Sequence, residues 1–391
     1  MFPIFTDTTT WNKTDAAISW LIVAVILSVA TASTNAQARE ADPAAIELIR
    51  SLSLRESNDP VRNHPLWAKP QKVAVSFRPI PGLSAEEFLA GIRSVAGDAE
   101  IVLLDATEPD LQSISDADVL LSFCRPMLVN AMDALRWHHS YSVGVDRCLA
   151  DPRIRERDFI LTNNQRVSAP SISEAAIAMT MMLSKDIHHF QKAQYQQEWA
   201  RSGARPTSDI WGKTMLVLGL GGIGTETARR ASGLGMRVIA TRNSSREGPD
   251  FVEKIGLSDE MYELAGEADY VVNALPLTDQ TNGMIGRKFF DALRPGAIYI
   301  SVGRGKTTVT DDLVAALNDG RLGGAGLDVM DPEPLPSEHP LWRAKNVVIT
   351  PHVSGRNIDA YRRSLIVAKE NLRRYTQGER LLSVVDKERG Y

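Results

Sequence analysis

The sequence predicts an α/β protein built from two parallel-sheet domains with a cleft between them. Short apolar runs alternate with helical periodicity from Lys72 to the last helix, as in stacked strand–helix units. One run, Met215 to Leu218, breaks sharply into glycines and continues as a helix. A length of 391 residues gives room for two cores.

Before those units, Ala16 to Ala32 is nearly continuous apolar sequence, and Ala36-Gln37-Ala38 offers a small-x-small cleavage pattern with Arg39 opening the mature chain. Residues 1–38 are therefore expected to be a signal peptide or a membrane anchor. The run falls short of the roughly 20 residues of a comfortable span, which favours cleavage, although Lys13 alone opposes Asp7 and Asp15 in the flank. The third alternative is a misplaced start. Residues 39–72 read as an extension, helical from Ala41 and then broken at Asn58-Asp59-Pro60 and His64-Pro65.

Strands are expected at Lys72 to Phe77, Ile101 to Asp105, Val119 to Phe123, Trp137 to Tyr141 and Phe159 to Thr162. A helix from Ser84 to Val95 has Ser84 as N-cap and Glu87 three residues on. Ser171 to about Trp199 reads as one long helix bridging the domains. After Met215 to Leu218, strands follow at Val238 to Thr241, Tyr270 to Ala274, Ile298 to Val302, Gly326 to Val329 and Val347 to Thr350. Helices at Asp259 to Ala265, Lys288 to Leu293 and Asp311 to Asp319 separate most of them. The last helix, Asn357 to about Thr376, carries Arg362, Arg363, Lys369, Arg373 and Arg374, expected on a solvated face.

A formal charge of −4 and the lack of a basic run argue against nucleic acid as a partner. Cys124 and Cys148 have no Cys-x-x-Cys spacing, so buried free thiols are expected rather than a zinc site or disulfide framework. His138-His139 and His188-His189 lack the i, i+4 spacing of paired helical metal ligands, which weakens a metal-hydrolase alternative.

Gly219, Gly221 and Gly224 stand at the G-x-G-x-x-G spacing between strand and helix. The first permits a tight turn, the second lets backbone approach a pyrophosphate, and the third lets helix pack closely on strand. The helix start then offers N–H donors to phosphate. Downstream, Arg304 follows a strand between two glycines, Glu333 lies in a proline-stiffened loop, and His352 follows Thr350-Pro351. Ligands bind at such strand ends in open α/β sheets. A guanidinium suits a carboxylate, and a histidine oriented by a carboxylate suits proton transfer.

These motifs resemble the D-isomer-specific 2-hydroxyacid dehydrogenases. The likeness rests on Ser142-Val143-Gly144-Val145-Asp146, Ser173-Glu174-Ala175, Leu216 to Gly224, and Ala268 to Val272 with Leu275-Pro276-Leu277-Thr278. It continues through Gly303-Arg304-Gly305, Gly326 to Val329 with Glu333 to Pro336, and Thr350-Pro351-His352. The resemblance implies a flavodoxin-like substrate domain over residues 73–167, a doubly wound Rossmann NAD(P)-binding domain over 168–351, and a return of 352–391 to the substrate domain. It implies that His352 is the acid and base, Glu333 its partner, and Arg304 the group that binds the substrate's carbonyl and carboxylate with the N–H groups of Val143 and Gly144. Cofactor contacts would come from Gly219, Gly221, Gly222, Ile223, Gly224, Leu275, Pro276, Val302, Gly303, Asp328 and His352. A homodimer is implied as well.

Two departures stand out. NAD-preferring members carry an acid after the second strand of the nucleotide domain. Here Arg242 takes that place in Thr241-Arg242-Asn243-Ser244-Ser245-Arg246, a basic setting suited to a 2′-phosphate, with Asn243 and Arg246 beside it. NADP(H) is the expected cofactor and NAD(H) the alternative. Ser301 also stands where many relatives have Asn. The expected activity is hydride transfer between NAD(P)H and a small 2-keto acid; the alternative is a non-catalytic, corepressor-like dinucleotide sensor. An exported or membrane-bound chain sits awkwardly with a cofactor kept in the cytoplasm.

Overall fold

In the computed structural model residues 40–390 are described apart from 106, 204 and 244, so the leader expected over residues 1–38 lies outside the described residues. Helix α1 (Pro43–Ser51) begins at Asp42, whose side chain accepts the Ala44 N–H. A five-stranded parallel sheet follows, from β1 (Lys72–Ser76), β2 (Glu100–Leu104), β3 (Val119–Ser122), β4 (Trp137–Ser140) and β5 (Ile160–Thr162). Its order is β2-β1-β3-β4-β5. Helices α2 (Ala85–Arg93), α3 (Pro126–Asn130), α4 (Asp146–Leu149) and α5 (Pro152–Glu156) connect the strands. Ser84 and Glu87 form the expected capping box at the start of α2.

Helices α6 (Ala169–Ser184) and α7 (Ile187–Tyr195) lead to the second sheet. One continuous helix was the expectation; instead Asp186, at φ 56, turns the chain between the two. Its carboxylate is fully buried, with Arg205 and His188 facing it, and that polar cluster ends the apolar stripe of α6. The second sheet comprises β6 (Thr214–Leu218), β7 (Arg237–Thr241), β8 (Lys254–Gly256), β9 (Tyr270–Asn273), β10 (Ala297–Ser301), β11 (Leu322–Leu327) and β12 (Val347–Ile349). They run parallel in the order β12-β11-β10-β9-β6-β7-β8, with α8 (Gly222–Gly233), α9 (Met261–Ala265), α10 (Arg287–Ala292) and α11 (Thr310–Asn318) on the crossovers.

Why these runs are unbroken in hydrophobicity follows from burial on both faces. In β6, Leu216 and Leu218 enter the core on one side of the sheet while Met215 and Val217 enter the core on the other. In β1, Val73 and Val75 face one core and Ala74 the opposite one.

The last helix, α12 (Ile358–Gln377), packs on the first sheet through Leu365, Ala368, Leu372 and Tyr375. Tyr375 stacks on Trp137 at 4.6 Å between ring centres, and Trp137 Nε1 donates to Thr162 Oγ1 at 3.0 Å. Two of its arginines depart from the solvated face expected of them, while Arg362 is exposed. Arg373 is buried, with its guanidinium on Glu370 (2.9 Å) and Glu379 (2.7 Å), and Arg374 reaches Glu370 and Glu56. Glu370 is itself only 2% exposed, so it needs those cations beside it.

The cysteines also correct the expectation. Cys124 and Cys148, 24 residues apart, are disulfide-bonded and not free thiols. Spacing alone could not show that the loop after β3 and helix α4 meet beyond the carboxyl ends of two adjacent strands. Among the described residues no helix is long and apolar enough to cross a membrane.

Candidate active site

The dinucleotide turn opens at Gly219, where φ is +90, and closes by packing α8 on β6: a β-carbon on Gly224 would lie 2.0 Å from the Gly219 carbonyl. Gly221 caps α8 without a side-chain hydrogen bond, and nothing lies within 4 Å of a β-carbon built there. Gly222 and Ile223 form the first turn. That open cradle with uncapped N–H groups fits a pyrophosphate.

Of the polar residues expected beside it, Arg242 sits at the end of β7 and donates from Nη1 to the Glu247 carbonyl at 2.6 Å. Arg246 is drawn away: its Nη1 pairs with Glu260 at 2.6 Å. Asn243 Oδ1 accepts from Ser258 Oγ at 3.1 Å. Leu275 and Pro276 lie in the loop after β9, where the Leu275 N–H meets Asn273 Oδ1 (3.2 Å) and the Pro276 carbonyl accepts from Thr281 (2.6 Å).

The Arg304 loop is set by a polar network below it. Asn273 Nδ2 donates to Tyr299 Oη and Thr307 Oγ1, both at 2.8 Å, and Thr307 Oγ1 donates to the Arg304 carbonyl at 2.7 Å. Val302 is buried, and Gly303 lies close against Leu275. Arg304 Nη1 donates to the Gly303 carbonyl at 2.8 Å, and its Nε to Asp146 Oδ1 at 3.0 Å. Asp146 belongs to the first domain, so the arginine spans the cleft. Its third nitrogen lies against Gly144, where a β-carbon would stand 1.4 Å from Nη2. Only glycine leaves room there.

Around Gly144 the carbonyls are engaged and the amides are not. Ser142 Oγ donates to the Gly144 carbonyl at 2.9 Å and Asn163 Nδ2 to that of Val143 at 2.6 Å. Neither N–H of Val143 and Gly144 has a partner among the described residues. Two amides without a partner among the described residues, next to a guanidinium, suit an anion.

Across the cleft, His352 Nδ1 is 2.9 Å from Glu333 Oε2. Glu333 Oε1 accepts the Met330 N–H at 3.1 Å, which fixes the carboxylate. The His352 backbone has φ 55, a left-handed conformation costly for a residue with a β-carbon. It is held by the His352 N–H to the Asp328 carbonyl (2.9 Å), while the buried Asp328 carboxylate accepts from Thr350 Oγ1, the Val353 N–H and both Ser354 donors. Asp328 thus shapes the histidine loop.

Three groups that sequence reasoning missed complete the site. Asp146 holds Arg304, Arg147 Nη2 reaches Glu333 Oε2 at 3.3 Å, and Cys148 ties the same short helix to Cys124. Asp146 closes a motif already recognised but was given no role, and Arg147 has no pattern around it. The cysteine pair carried a signal, because a leader of secretory composition admits disulfides.

Against known families, residues 177–354 match the model described as D-isomer specific 2-hydroxyacid dehydrogenase, NAD binding domain. A glyoxylate reductase of Thermococcus gammatolerans is 31% identical over 293 residues, covering 71% of this chain and 85% of the relative. A hydroxyphenylpyruvate reductase of Plectranthus scutellarioides is 31% identical over 258 residues, covering 66% and 80%. Among solved structures, an NADPH-dependent glyoxylate/hydroxypyruvate reductase from Sinorhizobium meliloti, in complex with NADP and sulfate, aligns with a TM-score of 0.68 at 27% identity. That alignment covers 82% of this chain and 100% of the other.

Proposed function

Because the chain belongs to the D-isomer-specific 2-hydroxyacid dehydrogenase family, we propose that it reduces a small 2-keto acid to the D-2-hydroxy acid, with NADP(H) as the preferred cofactor and NAD(H) as the alternative. The observation that carries this is the pairing of His352 with Glu333, together with an arginine that lies against Gly144.

The cofactor is held at Gly219 to Gly224 and, when bound, supplies the hydride. With Nδ1 engaged by Glu333, Nε2 of His352 is the ring nitrogen left to give a proton to the carbonyl oxygen as it becomes an alkoxide. Arg304 holds the substrate carboxylate and the developing negative charge, and the Val143 and Gly144 N–H groups take the other carboxylate oxygen. Asp146 and Arg147 keep Arg304 and Glu333 in place from the opposite domain.

Arg242, standing where an acid would receive ribose hydroxyls, supports NADP(H), as does the NADP bound by the Sinorhizobium relative. The relatives named for glyoxylate, hydroxypyruvate and hydroxyphenylpyruvate set the substrate panel. Following NADPH oxidation with each of these and pyruvate is the direct test. Turnover of at least one supports the proposal; none overturns it, and NADH at equal or higher kcat/KM overturns the cofactor preference.

Two further features belong to the proposal. A homodimer is supported by Tyr195, Trp199 and Trp211, which are 79%, 89% and 77% exposed, far more than lone aromatic side chains favour. Light scattering at a monomer mass overturns it. Export or membrane attachment through residues 1–38 is supported by the composition of that segment and by the Cys124–Cys148 bond, since disulfides persist in oxidising compartments. N-terminal sequencing of native protein tests it: a chain starting near Arg39 means cleavage, and an intact start in a soluble cytoplasmic fraction refutes export.

A further inference from the structure

Arg166 lies where the chain leaves the first sheet for α6, and three observations set it apart. Its backbone has φ 72, the left-handed region where glycine is the comfortable residue. Its side chain is draped over the start of α8: a β-carbon on Gly222 would stand 2.8 Å from Arg166 Cγ and 3.2 Å from its Cα. Any larger residue at 222 would push the arginine off the dinucleotide turn. Finally, its half-buried guanidinium has no hydrogen-bond partner among the described residues, although burial disfavours its charge.

The neighbours make that position stranger. Arg55 of the N-terminal extension and Arg242 at the end of β7 are both close enough to Arg166 to repel it. The nearby carboxylate, Glu226, is already engaged by Arg229 and Arg230. A cavity of about 170 Å³ opens beside the group, lined by Ser53, Arg166, Gly222, Thr225, and the paired Glu226 and Arg229 among others. Arg166 thus stands beside the start of α8 with two further guanidinium groups near it, and among the described residues the one carboxylate at hand, Glu226, is already paired.

We propose that Arg166, with Arg242 and Arg55 nearby, grips a phosphate of the bound dinucleotide beside the glycine turn. The residue is a cofactor ligand contributed from the exit of the substrate domain, and its left-handed backbone is kept because the side chain has this work. This rests on the dinucleotide reading of the glycine turn. The phosphate is either the 2′-phosphate or part of the pyrophosphate; both are oxyanions suited to a guanidinium fork.

The test uses the full chain and needs no turnover. Arg166→Gly removes the cation and relieves the backbone, so folding is not at risk; Arg166→Lys keeps the charge. Dissociation constants are measured by calorimetry for adenosine 2′,5′-bisphosphate and for 5′-ADP, alongside the melting temperature. Arg166→Gly is expected to weaken nucleotide binding by about tenfold, the loss of one charge-assisted contact, without lowering Tm. Arg166→Lys is expected to recover part of the affinity. A loss confined to the bisphosphate places the arginine on the 2′-phosphate, and an equal loss for 5′-ADP places it on the pyrophosphate. Unchanged binding of both overturns the proposal while leaving the dehydrogenase reading intact. Wild-type protein that binds neither nucleotide overturns both.

Discussion

At the scale of single residues the site divides into groups that do chemistry and groups that hold them. His352→Ala is expected to lower kcat by roughly 10²- to 10⁴-fold, the usual worth of a positioned proton donor, while NADPH still binds, since the glycine turn and the other expected cofactor contacts are left intact. Single-turnover kinetics and a fluorescence titration separate these effects; near wild-type turnover would remove His352 from its role. Legibility of the site follows the same division. His352, Glu333 and Arg304 could be read because each sits at the end of a recognisable strand, where ligands collect. Asp146 and Arg147 could not, because their importance comes from a cleft that only folding creates. Arg166 carries its oddity in a backbone angle, and no residue pattern announces that.

At the scale of elements, β4 carries the next prediction. His138 and His139 are both fully buried, and burial pushes them from 6.5 down to about 4 and about 3, with each other's proximity adding to the shift for His139. Above about pH 6.5 folded and unfolded chains bind the same protons there. Below it the unfolded chain protonates first, so stability falls as pH drops from 6.5 towards 4. His138 alone costs roughly 3 kcal/mol across that window. Thermal melts from pH 7.5 to 4 should show the decline, and His138→Gln, which keeps a donor for the Ser122 carbonyl, should make it shallower, with His139 left to account for the rest. An identical slope in the variant would exclude His138 as a source.

Elements also show where sequence patterns stop. Fully buried strands such as β3 and β6 announced themselves, because both faces demand apolar residues. Strand β8 did not: three residues at the sheet edge, Lys254–Gly256, need no apolar run. Strand β11 begins at Leu322 and not at Gly326 because Gly323 lies against the Gly296 carbonyl, a close approach that looks like a loop when read as sequence.

Across the whole molecule, the two ends of the described chain are clasped together. Ser57 N–H meets the Leu381 carbonyl at 2.8 Å, Trp67 Nε1 meets that of Tyr375 at 2.9 Å, and Arg374 meets Glu56 at 2.8 Å. The clasp fastens α12 to the first sheet, so chain entering late in sequence supports a domain begun early. Between the domains, helix α4 acts as a three-way coupling: consecutive residues Asp146, Arg147 and Cys148 bind Arg304, Glu333 and Cys124. Closing a loop over a 24-residue separation contributes about 3–4 kcal/mol in the chain-entropy picture. Dithiothreitol, reducing the bond to two thiols, is expected to raise KM for the keto acid by between a few-fold and the roughly 100-fold that a misplacement of about 1 Å costs, with NADPH affinity unchanged. A Cys124→Ser/Cys148→Ser double variant should match the reduced enzyme and ignore dithiothreitol. Equal KM in all three forms would exclude the coupling.

That bond makes the place of synthesis part of the molecule's description. Protein expressed in a reducing bacterial cytoplasm would be purified with α4 untethered, and protein recovered from an oxidising compartment would carry it fixed. Constants measured on the two preparations would then belong to different enzymes with one sequence, told apart by thiol titration before any rate is recorded.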